Sequence, residues 1–231
     1  LEKRQSSNQT DTIGQHRKNF ESEVIDIVER IKAKSAQTPT EPEEDMVYSE
    51  LVEPPMAMLE GIPLKYSDCT FDSFKGNDKL VETLKKIDQN ESILLTGNTG
   101  CGKTHLAIAL MKESKTDAMF ISVPELLLTI RNSFRENSSE SELEVVNRFF
   151  KYPTLILDDL GAEKTTEYAI ATFYLIINRR INDLKRTIIT TNLSLKDIES
   201  VFGARIASRL SEMRVIKINM PDYRKRKENK L

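Results

Sequence analysis

The chain has 231 residues, room for one ordinary domain with an appendage or for two small domains, and its net charge of −2 gives no global basic field for nucleic acid, although local patches stay open. Its two cysteines, Cys69 and Cys101, provide neither a disulfide framework nor metal-ligand spacing, which suits a reducing, cytoplasmic setting. No apolar run approaches the roughly 18 residues of a membrane span, and no secretory signal pattern stands out. The first residue is Leu1 rather than Met, as in a trimmed chain or a piece of a longer one.

Residues 1–19 are polar and read as disordered. Phe20, Val24, Ile27, Val28 and Ile31 then follow helical spacing and make one apolar stripe, with Asp26 and Arg30 able to pair across a turn. A helix over about 20–34 cannot bury that stripe alone. It docks on the rest of the chain, self-associates or binds a partner. From Ser35 to Leu64 there is no Lys or Arg, while prolines 39, 42, 54 and 55 and seven acidic residues accumulate. That composition reads as a solvated linker, so residues 1–60 form an arm and 61–231 the main domain.

Beyond Gly61, strand and helix patterns alternate. The spacing predicts strands at 92–96, 118–122, 154–158, 187–191 and 214–219. Helices are expected at 78–88, 103–114, 124–135, 140–151, 165–184, 195–201 and 203–212. Such alternation predicts a parallel sheet covered on both faces.

The first strand breaks into Gly97-Asn98-Thr99-Gly100-Cys101-Gly102-Lys103-Thr104, followed by His105 and a helical run. A Gly-rich turn between a strand and a helix start lets backbone N–H groups converge on one anion, and the helix N-terminus adds positive potential. Lys103 is placed to reach β- and γ-phosphates and Thr104 to ligate Mg²⁺. Cys101 sits inside this loop. Either the helix N-terminus activates its thiol, so that alkylation blocks nucleotide binding, or it is a small residue the loop tolerates.

The apolar strand Thr154–Leu157 ends in Asp158-Asp159-Leu160-Gly161. Carboxylates at the carboxyl end of a parallel strand lie beside the loop after the first strand. Asp158 can hold Mg²⁺ and Asp159 can polarise an attacking water; an ordinary acidic turn is the plainer reading. The next strand, Thr187–Thr191, carries Asn192 at its tip, either a turn residue or a group that orients water. Arg205 and Arg209, four residues apart, share a helix face. They are solvated, or they reach a phosphate on a neighbouring subunit. The tail Arg224-Lys225-Arg226-Lys227 is a terminal charge run or a phosphate patch.

From about Gly61 to Arg224 these residues resemble the DnaC/IstB-like branch of the AAA+ ATPases, most closely its bacterial and phage helicase loaders. The resemblance runs through Gly61-Ile62-Pro63, Thr70-Phe71-Asp72-Ser73-Phe74, the loop ending Lys103-Thr104-His105-Leu106-Ala107, Leu157–Gly161, Thr190-Thr191-Asn192-Leu193, Arg205–Leu210 and Tyr223-Arg224. It implies a five-stranded sheet of order 5-1-4-3-2 with little or no C-terminal lid. It makes Lys103 and Thr104 the Walker A pair and Asp158 and Asp159 the Walker B pair, with Asp where most of these proteins have Glu. Asn192 becomes sensor 1, Arg209 (or else Arg205) an arginine finger acting in trans, and Arg224 a sensor-2-like contact. Thr70–Phe74 would lie near the adenine. The extra helix within 124–151 resembles an insertion that can line a single-stranded DNA channel, with Arg131, Arg135, Arg148 and Lys151 either candidate phosphate contacts or a solvated charged helix face.

The implied function is an ATPase that self-associates through its ATP site and loads a DnaB-type replicative helicase onto single-stranded DNA. The alternatives are a transposition helper on duplex DNA and an ATP switch that barely hydrolyses, the latter kept open by Asp159.

Overall fold

The computed structural model describes residues 57–133, 141–162 and 166–228. The apolar stripe at 20–31 and most of the acidic stretch lie outside these residues, as does Arg135. Six strands form one wholly parallel sheet: β1 (Leu59–Glu60), β2 (Ile93–Gly97), β3 (Ala118–Ser122), β4 (Thr154–Leu160), β5 (Arg186–Thr191) and β6 (Arg214–Ile218). Their order is β1-β3-β4-β5-β2-β6. The five predicted strands therefore stand in the expected order.

The sixth strand is a correction to the expected count of five. Leu59 and Glu60 pair with Ala118 and Met119 at the edge, inside the stretch read as linker. Two exposed residues carry no periodicity, so only the partner strand reveals them. Asp117 accepts the Met58 N–H at 2.8 Å, and the Tyr152 hydroxyl bonds Glu60, so the edge strand is held by side chains too.

Alternation along the strands divides the core in two. Leu94, Met119, Ile121, Leu155, Leu157 and Ile189 face one way; Ile93, Leu95, Phe120, Ile156 and Ile188 face the other. The first face is covered by α3 (Val123–Asn132), α4 (Glu142–Lys151), α5 (Glu167–Asn182), α6 (Leu195–Phe202) and α7 (Ala204–Ser211). The second is covered by α1 (Asp78–Lys85) and α2 (Lys103–Glu113). Residues Leu106–Met111 of α2 are all buried, as a helix apolar all round requires. Most helix starts carry a side-chain cap: Asn77, Ser122, Ser141, Thr166 and Ser194, with capping boxes at Ser141–Glu144 and Ser194–Asp197.

Arg180 of α5 is wholly buried and braces the first face. Its guanidinium donates to the carbonyls of Phe149, Tyr152, Pro153 and Arg186 and to the Thr187 hydroxyl, at 2.6–3.1 Å. These acceptors end α4 and begin β4 and β5. Burial pushes the Arg180 pKa down to about 10, so it stays charged at neutral pH.

A short helix not foreseen in the sequence, α8 (Tyr223–Glu228), follows β6 and lies against the loop after β2. Among the described residues, no helix is long and apolar enough to cross a membrane.

Candidate nucleotide site

Because the strands are parallel, the carboxyl ends of β2, β4 and β5 open on one edge of the sheet. The loop after β2, Asp159 near the end of β4 and Asn192 after β5 meet there around a cleft of about 540 Å³, and the buried Asp158 is bonded to Thr104 of its lining.

The loop curls tightly into α2. Gly102 is the N-cap with φ +96°, and a Cβ there would meet the Phe74 ring at 2.6 Å. With no side chain to cap α2, its first-turn N–H groups lack a side-chain acceptor, the arrangement an anion completes. Gly100, at φ +76°, packs against the Asp222 carboxylate, and its carbonyl accepts the Tyr223 N–H at 2.9 Å. That contact ties α8 to the loop and brings Tyr223 and Arg224 into the cleft wall.

Lys103 is nearly buried yet lines the cleft. Its ammonium donates to the Gly97 and Asn98 carbonyls at 2.9 Å each and to Asn192 Oδ1 at 2.6 Å. Burial pushes its pKa down. Thr104 donates to both oxygens of Asp158, at 2.9 and 3.2 Å.

Asp158 and Asp159 sit where the β4–β5 register shifts between Leu157 and Leu160. Asp159 takes φ +59°, so the two adjacent carboxylates part. Asp158 turns in and is buried. Asp159 stays exposed on the cleft wall. Thr190 fits the irregularity, accepting the Asp159 N–H at 3.0 Å and donating to Asp158 Oδ1 at 2.6 Å. Burial raises the Asp158 pKa, while the hydrogen bonds from Thr190 and Thr104 pull it back.

At the far end, Tyr66, Cys69, Ser73, Phe74 and His105 line the cleft. His105 Nε2 bonds the Thr70 carbonyl at 2.8 Å and Ser73 Oγ at 3.1 Å, and its ring meets Phe74 edge-on at 5.3 Å.

The structure thus brings together Thr99, Gly100, Gly102, Lys103, Thr104, His105, Asp158, Asp159, Asn192 and Arg224. Gly97 and Asn98 contribute carbonyls turned toward Lys103 rather than groups facing the cleft. Of the two readings of Cys101, its packing fits the small residue that the loop tolerates: it is 2% exposed and packs into the second core. Arg205 and Arg209 lie outside the cleft, on α7. Arg209 pairs with Glu212 at 2.8 Å, and Arg205 borders a separate apolar groove with Ile170, Tyr174 and Phe202. Arg131 ends α3, and Arg148 and Lys151 end α4. Sequence reasoning quoted Thr190 in a motif without giving it a role, and passed over Tyr66 and Asp222. Thr190 could have been flagged by its place two residues before Asn192; the other two carry no local signal.

The donor set fits a nucleotide phosphate with Mg²⁺. A lysine ammonium and uncapped helix N–H groups suit an anion, while a hydroxyl and a carboxylate are hard oxygen ligands. Among the described residues no cluster of three or more His, Cys, Asp or Glu could hold a metal by itself. Mg²⁺ usually takes one or two carboxylates and completes its shell with phosphate and water.

Comparison with known proteins agrees. The replicative helicase loader DnaC of Buchnera aphidicola subsp. Baizongia pistaciae (strain Bp) is 25% identical over 181 residues, 72% of this chain and 73% of that protein. An ATP-binding protein of insertion sequence IS232 from Bacillus thuringiensis subsp. berliner is 32% identical over 123 residues, 52% of this chain and 48% of that protein. A crystal structure of the DnaC helicase loader superposes with a TM-score of 0.59 at 25% identity, covering 68% of this chain and 100% of that one. A family model described as IstB-like ATP binding protein matches residues 56–230. That span holds the phosphate loop, the acidic end of β4 and the polar tip of β5, and the chain belongs to the IstB-like ATP-binding family of AAA+ proteins.

Proposed function

We propose that this chain is a Mg²⁺-dependent ATPase that works as an assembly and loads a DnaB-type replicative helicase onto single-stranded DNA. The observation that carries the ATPase reading is the convergence of Lys103, the Thr104–Asp158 pair, Asp159 and Asn192 on one cleft. The loader reading is supported by similarity to proteins named as DnaC helicase loaders.

The chain's own residues divide the work. Loop N–H groups and Lys103 bind the phosphates. Thr104 and Asp158 would hold Mg²⁺, which would supply charge neutralisation for the phosphates. Asp159 accepts a hydrogen bond from the attacking water, and Asn192 orients it. Tyr66 and Phe74 wall the base end, and Arg224 reaches the phosphates from α8. Arg209 of a neighbouring copy, or else Arg205, completes the charge around the transferred group, so hydrolysis needs assembly. Residues 1–60, with the stripe from Phe20 to Ile31, hold the helicase.

Calorimetric titration of the full chain with MgATP tests the site. Lys103→Ala should weaken binding at least tenfold, and equal affinities would overturn the assignment. A second reading, a transposition helper on duplex DNA, is favoured by the 32% identity to the IS232 protein. The two part on which form of DNA stimulates turnover.

A further inference from the structure

A lysine ammonium has three N–H donors and no more. Those of Lys103 are all committed, to Gly97 O, Asn98 O and Asn192 Oδ1. Lys103 can therefore reach a phosphate oxygen only by giving up one of these acceptors. The first two are backbone carbonyls, at the end of β2 and in the loop after it, and neither can turn away without moving the main chain. The third comes from the tip of β5, 89 residues away in sequence. Its neighbouring backbone is pinned. Leu193 N–H donates to Thr191 Oγ1 at 3.0 Å, and Thr96 Oγ1 donates to the Leu193 carbonyl at 2.9 Å. So the exchangeable acceptor is the Asn192 carboxamide, turning on a fixed backbone.

We infer that Asn192 is a positioning residue for Lys103: it holds the buried ammonium in place and hands it to an incoming phosphate oxygen. A buried ammonium without a full set of acceptors is costly, so some group must fill this place. The shortest of the three bonds, at 2.6 Å, is the one that is exchanged. Each binding event is then a trade of Asn192 for phosphate rather than a new bond to a free lysine. The same trade turns the Asn192 carboxamide loose next to the transferred group, so its part in orienting water begins only once phosphate is in place.

This inference rests on the nucleotide reading above and makes a prediction opposite in sign to a merely supportive Asn192. ADP is the informative probe, because without a γ-phosphate Asn192 loses nothing by its removal. In calorimetric titrations of the full chain, Asn192→Ala should bind ADP roughly three- to tenfold more tightly than wild type, the range of one net hydrogen bond. Adenosine, which has no phosphate, should bind the two alike. Asn192→Leu, close in size and without an acceptor, should show the same gain. In a Lys103→Ala background the Asn192 substitution should change nothing, which isolates the pair. The ADP-induced rise in melting temperature should also be larger for Asn192→Ala than for wild type. Unchanged or weaker ADP binding in both Asn192 variants, with wild type binding normally, would overturn the inference and leave the nucleotide reading standing. Absence of ADP and ATP binding to wild type would overturn both.

Discussion

Thr104 and Asp158 are joined across the cleft by a single hydroxyl that reaches both carboxylate oxygens, at 2.9 and 3.2 Å. This bond ties the start of α2 to the end of β4 and holds together the two side chains proposed to take Mg²⁺. Burial raises the Asp158 pKa above the ordinary carboxyl value of 3.8. The folded carboxyl therefore binds its proton more tightly than the unfolded one, and stability falls as pH rises from about 3.8 through the raised value. At neutral pH the charge is a cost. Asp158→Asn should remove it, raise the melting temperature at neutral pH, and abolish the Mg²⁺ dependence of ATP binding. Thermal melts of both proteins across pH 4–8 check this; a lower melting temperature for the variant contradicts it.

Asp159 separates an enzyme from a switch. It lines the cleft with a positive φ and makes its backbone bond to Thr190. Asp159→Asn should keep ATP affinity within about threefold while turnover falls by roughly 10²-fold or more, the size of a general-base contribution. Single-turnover hydrolysis measured beside equilibrium binding reads both. Full helper function in a variant without turnover would favour the switch.

Arg180 is the largest structural liability in the described core. Arg180→Met leaves the carbonyls of Phe149, Tyr152, Pro153 and Arg186 without this donor. The expected loss is on the order of 3 kcal/mol, or about 6–12 °C in melting temperature. Arg180→Lys, with fewer donors, should fall between. Urea unfolding of the three proteins provides the comparison.

The two cysteines should report the cleft differently. Cys101 is buried in the core, whereas Cys69, also buried, belongs to the cleft wall with a thiol pKa raised by burial. A thiol reagent should label both slowly in the native protein, Cys69 first, and ATP should protect Cys69. Peptide mapping after timed alkylation identifies which thiol reacts; rapid labelling of Cys101 would contradict the packing.

Much of this was legible because the signals are local. The seven predicted helices and five predicted strands recur within a few residues, since apolar spacing and Ser, Thr and Asn caps act over a turn or two. The phosphate loop and Asp158 were legible for the same reason. What escaped depends on partners far along the chain. Leu59–Glu60 is a strand only because β3 accepts it. Tyr223–Glu228 reads as a solvated charge run until Gly100 and Asp222 fix its start. Thr190 acquires its role from the irregularity in β4, and the Lys103–Asn192 bond spans 89 residues. Whether Arg209 or Arg205 serves as the proposed finger would depend on a neighbouring copy, which spacing within one chain does not encode.

An ATPase site completed by a neighbouring copy is read from the rate of ATP hydrolysis against protein concentration, with and without single-stranded or duplex DNA. Specific activity should rise steeply with concentration, rise further with single-stranded DNA, and be lost in Arg209→Ala although ATP still binds. Tight ATP binding with a flat, near-zero rate at every concentration and with either DNA would contradict it.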